Sequence, residues 1–329
     1  MSVISRSERA HASVTTGRDI VAFGTRAPSI HNTQPWSWRI DGSRIDLRAD
    51  RGRQLHVADP EGRHLTISCG AALHHAVVRA RTLGFEAEVE LLPTAGDPDH
   101  LATIQLVPGR PDPEAEAEAE LLGRRRTDRR RFTAWPLPDD RLDQLVAAAV
   151  EPGTDALTIR EPARRVRVGL LVSKAAWVES HDPRYAREQE HWTLPTPEGG
   201  VPETHRPAPH PRLRVSSRYD DPGSESMGRD PVQGTDGLVV ITTEEDGPRD
   251  WLRSGTMLCR LWTEAMTAGL SLVPLSQLVE VPDTRAALAD EIVAGAGHPQ
   301  LLLRLGWQEI SRNPLPPSGR RPLDDVLLP

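Results

Sequence analysis

Two segments with equal glycine spacing constrain this chain more than any other feature. Gly70-x-x-Leu73 runs to Gly84-Phe85 and Gly255-x-x-Leu258 runs to Gly269-Leu270, fourteen positions from glycine to glycine each time. Each segment carries apolar residues at helical spacing and ends in a glycine suited to a helix C-terminus. Each is followed by a strand closed by glycine, ATIQLVPG (102–109) in the first copy and LLLRLGW (301–307) in the second. Shared spacing and shared element order predict an internal duplication. A chain of 329 residues is long enough for two such halves.

The first half reads as a helix (DIVAFGTRA) ending before Pro28, then a hairpin of WSWRI and SRIDLRA about the Asp41-Gly42 turn, a long helix ending at Gly84, and strands EAEVELLP and HLATIQLVPG. A boundary at 111/112 follows. Residues 112–132, DPEAEAEAELLGRRRTDRRRF, read as a helix with Asp112 as its cap, Pro113 in its first turn and five acids before six arginines. Helix DRLDQLVAAAV, strand TIRE and helix PARRVRVGLLVSKAAWVES come next. Residues 181–235 are rich in proline and histidine with little periodicity, which predicts a long surface excursion. The closing third reads as strand TDGLVVITTEE, helix PRDWLRSGTMLCRLWTEAMTAGL, loop SLVPLSQLVEV, helix TRAALADEIVAG and strand QLLLRLGW.

Composition narrows the chemistry. Of the 40 basic residues only Lys174 is a lysine, so nearly all positive charge is guanidinium, planar and shaped for oxyanions. No glycine-rich run precedes Lys174, so there is no P-loop. The net charge of −7 gives no global attraction to nucleic acid, and any anion site must be a local cluster. Cys69 and Cys259 stand far apart in apolar segments, as buried thiols do. Histidines lack metal-ligand spacing, so no metal is expected. Gly295-Ala296-Gly297 lacks the third glycine of a dinucleotide fingerprint, and no G-x-S-x-G elbow is present. No stretch approaches the length of a membrane span and the first residues lack a signal-peptide core, so a soluble cytoplasmic protein is expected. The run Arg124–Arg131 carries +5 over eight residues. It reads as a solvated helix face or as a site for a phosphorylated small molecule, and less well as a nucleic-acid contact, since no aromatic or second basic cluster accompanies it.

Ala27–Trp36, APSIHNTQPW, resembles the A-P-S-x-x-N-x-Q-P-W signature of the flavin-dependent nitroreductase superfamily at every specified position. Arg125–Arg129, RRTDR, is similar to the R-R-S-x-R element with which that family grips the FMN phosphate, Thr127 standing for serine. Gly269–Gln277 is similar to the family loop facing the flavin N5 edge, and Leu305–Trp307 followed by Ser318–Leu327 to its closing strand and basic tail. The order most resembles the Acg-like branch of long, fused chains. The resemblance implies an α+β nitroreductase-like fold, internally duplicated into a pseudo-dimer of halves 1–111 and 112–329. It implies FMN as cofactor, held by Pro28, Ser29, Ile30, Asn32, Gln34, Arg125, Arg126, Thr127, Arg129, Leu275, Ser276, Gln277, Arg320 and Arg321.

Ordinary members of the family are homodimers in which each FMN site takes the A-P-S loop from one subunit and the arginine element from the other. Here the loop occurs only in the first half and the arginines only in the second, so one site per chain is expected and further oligomerisation is optional. The implied activity is transfer of hydride or electrons from NAD(P)H through flavin to a nitroaromatic, quinone or similar small-molecule acceptor, with no nucleic-acid or membrane partner. No side chain is an obvious acid or base. Asn32 and Gln34 read either as turn formers before Pro35 or as amides bonding near the flavin. Trp36 and Trp38 flank Ser37 on a strand, and core packing is the default for at least one. The excursion 181–235, with Trp192, Pro195 and Pro197, reads as a lid. This keeps open an alternative, an FMN-sequestering protein with little turnover.

Overall fold

The hairpin at Asp41-Gly42 sets the frame of the first sheet. Gly42 takes a left-handed φ of 56° and lets β1 (Trp36–Asp41) fold back on β2 (Arg44–Ala49), in antiparallel register from Trp36 opposite Ala49 to Asp41 opposite Arg44. The chain then runs through α2 (Arg63–Thr82) to β3 (Phe85–Leu91) and β4 (His100–Pro108), giving the strand order β1-β2-β4-β3. The second half repeats this with β5 (Thr154–Thr158), β6 (Gly237–Thr243), α7 (Pro248–Thr267), β7 (Ser271–Pro274) and β8 (His298–Gly306), in the order β5-β6-β8-β7. The computed structural model describes residues 13–194, 196–202, 235–309 and 313–329. The fold is α+β, and its two sheets share one strand permutation with a 20-residue helix at the same place in each.

The repeated glycines explain how the halves join. A Cβ on Gly70 would collide with the Leu252 carbonyl of α7, and one on Gly255 with the Ile67 carbonyl of α2. The helices therefore cross at backbone contact, which only a missing side chain permits. α2 is buried on nearly every side, and its hydroxyls turn inward onto their own helix: Thr66 Oγ1 donates to Gly62 O at 2.7 Å and Ser68 Oγ to His64 O at 2.7 Å. Leu252 and Cys259 of α7 enter the first core beside Trp36, Trp38 and Leu65, while Ile67 of α2 enters the second beside Trp262 and Leu303. Both Trp36 and Trp38 are core residues, and both cysteines are buried thiols. We expect Gly255→Ala to lower unfolding free energy by roughly 3 kcal/mol, because overpacking here displaces backbone. Gly247→Ala, whose Cβ would meet only Asp250 Oδ2 at 3.7 Å, should cost far less in the same denaturant titration.

Several boundaries differ from the sequence reading. The helix expected over 112–132 is α3, Pro113–Arg124, and Arg125 leaves it with an extended ψ of 134°. Continuing would stack Arg125 on Arg129 and Arg126 on Arg130 along a helix face, a like-charge penalty at both pairs. The strand placed at TIRE begins earlier, at Thr154, just after the Pro152-Gly153 turn. SLVPLSQLVEV, expected as loop, holds β7 and a short helix α8 (Gln277–Glu280), while TRAALADEIVAG begins in α9 (Pro282–Ala287) and continues with a π-helical turn at Leu288–Val293.

The remaining helices are α1 (Val14–Gly24), α4 (Asp139–Ala149), α5 (Pro162–His181), α6 (Pro183–Thr193) and α10 (Leu323–Val326). α6 corrects the excursion reading at its start. Its Tyr185 is buried against Leu55 and Ala58 of the first half. Pro195 and residues 203–234 of the excursion lie outside the described residues. At the C-terminus Leu328 N donates to Trp38 O at 2.7 Å, tying the tail to the edge of the first sheet. Among the described residues no helix is long and apolar enough to cross a membrane.

Candidate functional site

The A-P-S segment leaves α1 and is bent by three left-handed residues within four positions: His31 at φ 46°, Asn32 at 59° and Gln34 at 50°. Non-glycine residues pay for this conformation, and such strain persists where surrounding bonds fix it. Here Ser29 Oγ accepts Gln34 N at 2.9 Å and Ser68 Oγ on α2 accepts Ile30 N at 3.1 Å. The two amides hold the loop to chain from elsewhere. Asn32 Nδ2 donates to Gly200 O and Gly319 O, both at 3.1 Å, and its Oδ1 accepts Arg320 Nη1 at 3.0 Å. Gln34 Nε2 donates to Glu198 O at 2.7 Å and its Oε1 accepts Arg321 N at 2.9 Å.

Opposite this loop lies the end of α3 with the arginine element. Together they wall an open cleft with Pro28, Ser29 and Asn32 on one side and Arg125, Arg126, Thr127 and Arg129 on the other. Arg320 from the tail and Gly200 and Val201 from the strap after α6 complete it. Five guanidiniums line the cleft, counting Arg26, and among the described residues no carboxylate does.

Arg125 is the most constrained of them. It is 5% exposed, stacks over the Trp262 ring at 4.6 Å, donates Nη1 to Thr127 Oγ1 at 3.3 Å, and leaves Nε with no partner. Burial, then the nearby Arg320 charge, pulls its pKa down to about 9. Arg320 is lowered to about 10 by burial and by Arg126 and Arg26. Its Nε is also without a partner, and among the described residues its bonds go to Asn32 Oδ1 and backbone carbonyls, none to a carboxylate. A buried cation without a carboxylate is costly, and an anion removes that cost. Neighbouring His75 and Cys259 are held neutral by burial, the imidazole shifted well down and the thiol well up, so neither supplies a negative charge.

Of the residues implied by the family signatures, Pro28, Ser29, Asn32, Arg125, Arg126, Thr127, Arg129 and Arg320 meet at this cleft. Ile30 and Gln34 lie behind it in the loop. Arg321 turns away, pairing with Asp50 Oδ2 at 3.1 Å and donating to Trp36 O and Gln34 O. Leu275, Ser276 and Gln277 do not line it: Leu275 N donates to Leu302 O at 2.8 Å, and Gln277 Nε2 is buried on Glu179 Oε2 at 2.9 Å. Two contributors escaped the sequence reading. Arg26 sits directly before the A-P-S signature, which was a usable signal. Trp262, the plate under Arg125, reads in sequence as one more core residue of α7.

No protein-family model matches the chain. A protein of Mycobacterium tuberculosis strain H37Rv assigned as an NAD(P)H nitroreductase is 36% identical over 95% of this chain and 91% of its own length. A second from the same strain, assigned as the NAD(P)H nitroreductase Acg, is 31% identical over 94% of each chain. The solved Bacteroides fragilis nitroreductase with bound FMN aligns over 60% of this chain and 90% of its own, at 15% identity and a TM-score of 0.37. An α+β chain with two sheets of one strand order and an arginine-lined cleft, and with relatives of this length and identity, belongs to the nitroreductase family. Within that family it falls with the long-chain members of the Acg type.

Proposed function

We propose that this chain is an FMN-dependent oxidoreductase with one FMN held between halves 1–111 and 112–329. It passes hydride or electrons from NAD(P)H to a nitroaromatic, quinone or similar acceptor. The observation that carries this reading is the cluster of guanidiniums with no carboxylate among the described residues of the same cleft. Arg125 and Arg320, buried with orphaned Nε atoms, fit a phosphate monoester, with Arg129 and Thr127 beside them. Each charge-assisted bond to phosphate contributes about 1.5–3 kcal/mol. The A-P-S loop, braced by Ser68 and by its own amides, forms the opposite wall. Bound flavin supplies the redox chemistry. The residues of this chain bind it, orient it and shield it.

The purified chain is therefore expected to be yellow and, on denaturation, to release one equivalent of FMN rather than FAD. A colourless chain that fails to take up added FMN, or one that holds two flavins, overturns the proposal.

A second reading, FMN sequestration with little turnover, is favoured by the strap. Glu198 and Gly200 carbonyls occupy the amides of Gln34 and Asn32, and Val201 walls the cleft. Among the described residues these contacts hold residues 196–201 against the loop that the family signature assigns to flavin.

A further inference from the structure

The cleft holds more positive charge than one phosphate monoester balances, and the surplus is not evenly spread. Arg125 is buried and Arg320 is mostly so, but Arg26 is exposed and Arg126 only half-buried. These two outer guanidiniums come from different parts of the chain and converge on a single atom. Arg26 Nη2 and Arg126 Nη1 donate to Gly123 O, in the last turn of α3, at 2.9 and 3.3 Å. Arg126 Nη1 also donates to Arg125 O at 2.7 Å, and Arg26 is held over the Phe23 ring at 5.4 Å. Among the described residues neither pairs with a carboxylate. Glu120, one turn back on α3, is engaged by Arg124 at 3.1 Å.

A helix C-terminus carries about half a negative charge, enough to favour one cation but not to offset two. Two like charges fixed on one carbonyl repel, and the arrangement is relieved by an anion that bridges them. Paired guanidinium forks match phosphoryl oxygens in geometry as well as charge.

We propose that Arg26 and Arg126 form a second phosphoryl subsite, at the mouth of the cleft, that takes the phosphates of the nicotinamide dinucleotide. This rests on the FMN reading above. It assigns the buried arginines to the flavin phosphate and the outer pair to the reductant, which moves Arg126, counted with the FMN residues by the family signature, out of the flavin set because its Nη1 is turned onto Gly123 O and Arg125 O. A cationic mouth also raises the local concentration of an anionic dinucleotide.

The test uses the FMN-loaded chain and its Arg26→Gln and Arg126→Gln variants. Arg124→Gln is the control, since Arg124 is exposed and does not line the cleft. NADP+ and NAD+ are titrated separately by calorimetry, and FMN affinity is measured on the cofactor-free chain. Each outer variant is expected to weaken dinucleotide binding about tenfold or more while FMN affinity moves less than about threefold. The control should bind as the unaltered chain does. Loss shared by NAD+ and NADP+ assigns the pyrophosphate, and loss confined to NADP+ assigns the 2′-phosphate. Either outcome supports the subsite. Unchanged dinucleotide affinity with FMN retained reduces Arg26 and Arg126 to helix-end caps and overturns it. So does a parallel loss of FMN, or an FMN-loaded chain that binds neither dinucleotide. A chain that takes up no FMN at all overturns the parent reading instead.

Discussion

Replacing Arg125 with methionine is expected to abolish FMN retention and, in the cofactor-free chain, to raise the melting temperature. The two effects share one cause. Arg125 is buried over Trp262 with no carboxylate among its described partners, and its pKa falls from the usual arginine value to about 9. The folded state thus binds this proton less tightly than the unfolded chain does. Between roughly pH 9 and the unfolded value the unfolded chain holds more protons, so stability of the cofactor-free protein rises with pH through that window. At neutral pH the charged side chain is a net cost, on the order of a few kcal/mol. Methionine of similar length removes the charge while keeping contact with Trp262.

Bound phosphate removes the same cost by pairing the cation, so FMN should raise the melting temperature of the unaltered chain far more than that of Arg125→Met. Deleting one partner of a buried charged pair costs about 2–5 kcal/mol, which predicts a loss in FMN affinity of about thirtyfold or more. Arg124→Ala, on an exposed side chain paired with Glu120, should leave affinity nearly unchanged. Flavin fluorescence titrations and melts with and without FMN decide the matter. An Arg125→Met chain that binds FMN within tenfold of the unaltered protein would show that the phosphate lies elsewhere.

The parts of this molecule that sequence makes legible are those decided locally. Helix periods, the Asp41-Gly42 turn and the equal spacing of Gly70–Gly84 and Gly255–Gly269 each rest on a few neighbouring residues. The repeat even carries its own reason, because Gly70 and Gly255 are the positions where two helices touch backbone to backbone. What escaped depends on distant partners. Gln277 is buried because Glu179, 98 positions away in the chain, accepts its amide. Arg321 resembles Arg320 in sequence, yet Asp50 draws it out of the cleft while Asn32 draws its neighbour in. The length of α3 was overread because helix propensity continues past Arg124, whereas the charge repulsion that stops it is felt only once the arginines are stacked. β7 was missed as a strand because four residues closed by Pro274 carry too little pattern, and its pairing with β8 supplies the rest.

Unlatching α6 is expected to give the largest gain in flavin reactivity. Glu188 accepts Val57 N at 3.0 Å and Ala58 N at 2.9 Å, Tyr185 donates its hydroxyl to Glu280 Oε2 at 2.9 Å, and Arg53 stacks on Trp192 at 5.0 Å. These contacts fasten α6 across the two halves, and the strap that follows it is pinned by Asn32 and Gln34. Glu188→Ala removes two charge-assisted bonds to backbone, each worth about 1.5–3 kcal/mol, without touching the arginines. If opening of this segment gates access to the flavin face, its open population rises by a factor of about a hundred or more and reduction by NADPH rises with it. Anaerobic stopped-flow bleaching of the flavin measures that rate directly. We expect slow bleaching in the intact chain and at least tenfold faster bleaching in Glu188→Ala, with FMN still bound at one per chain. An intact chain that already reduces nitroaromatics at rates of about 1 s⁻¹ or more removes the gate and leaves an open enzyme. A variant that keeps its FMN, opens as judged by proteolysis within 194–202, and still does not react would leave sequestration as the function of the site.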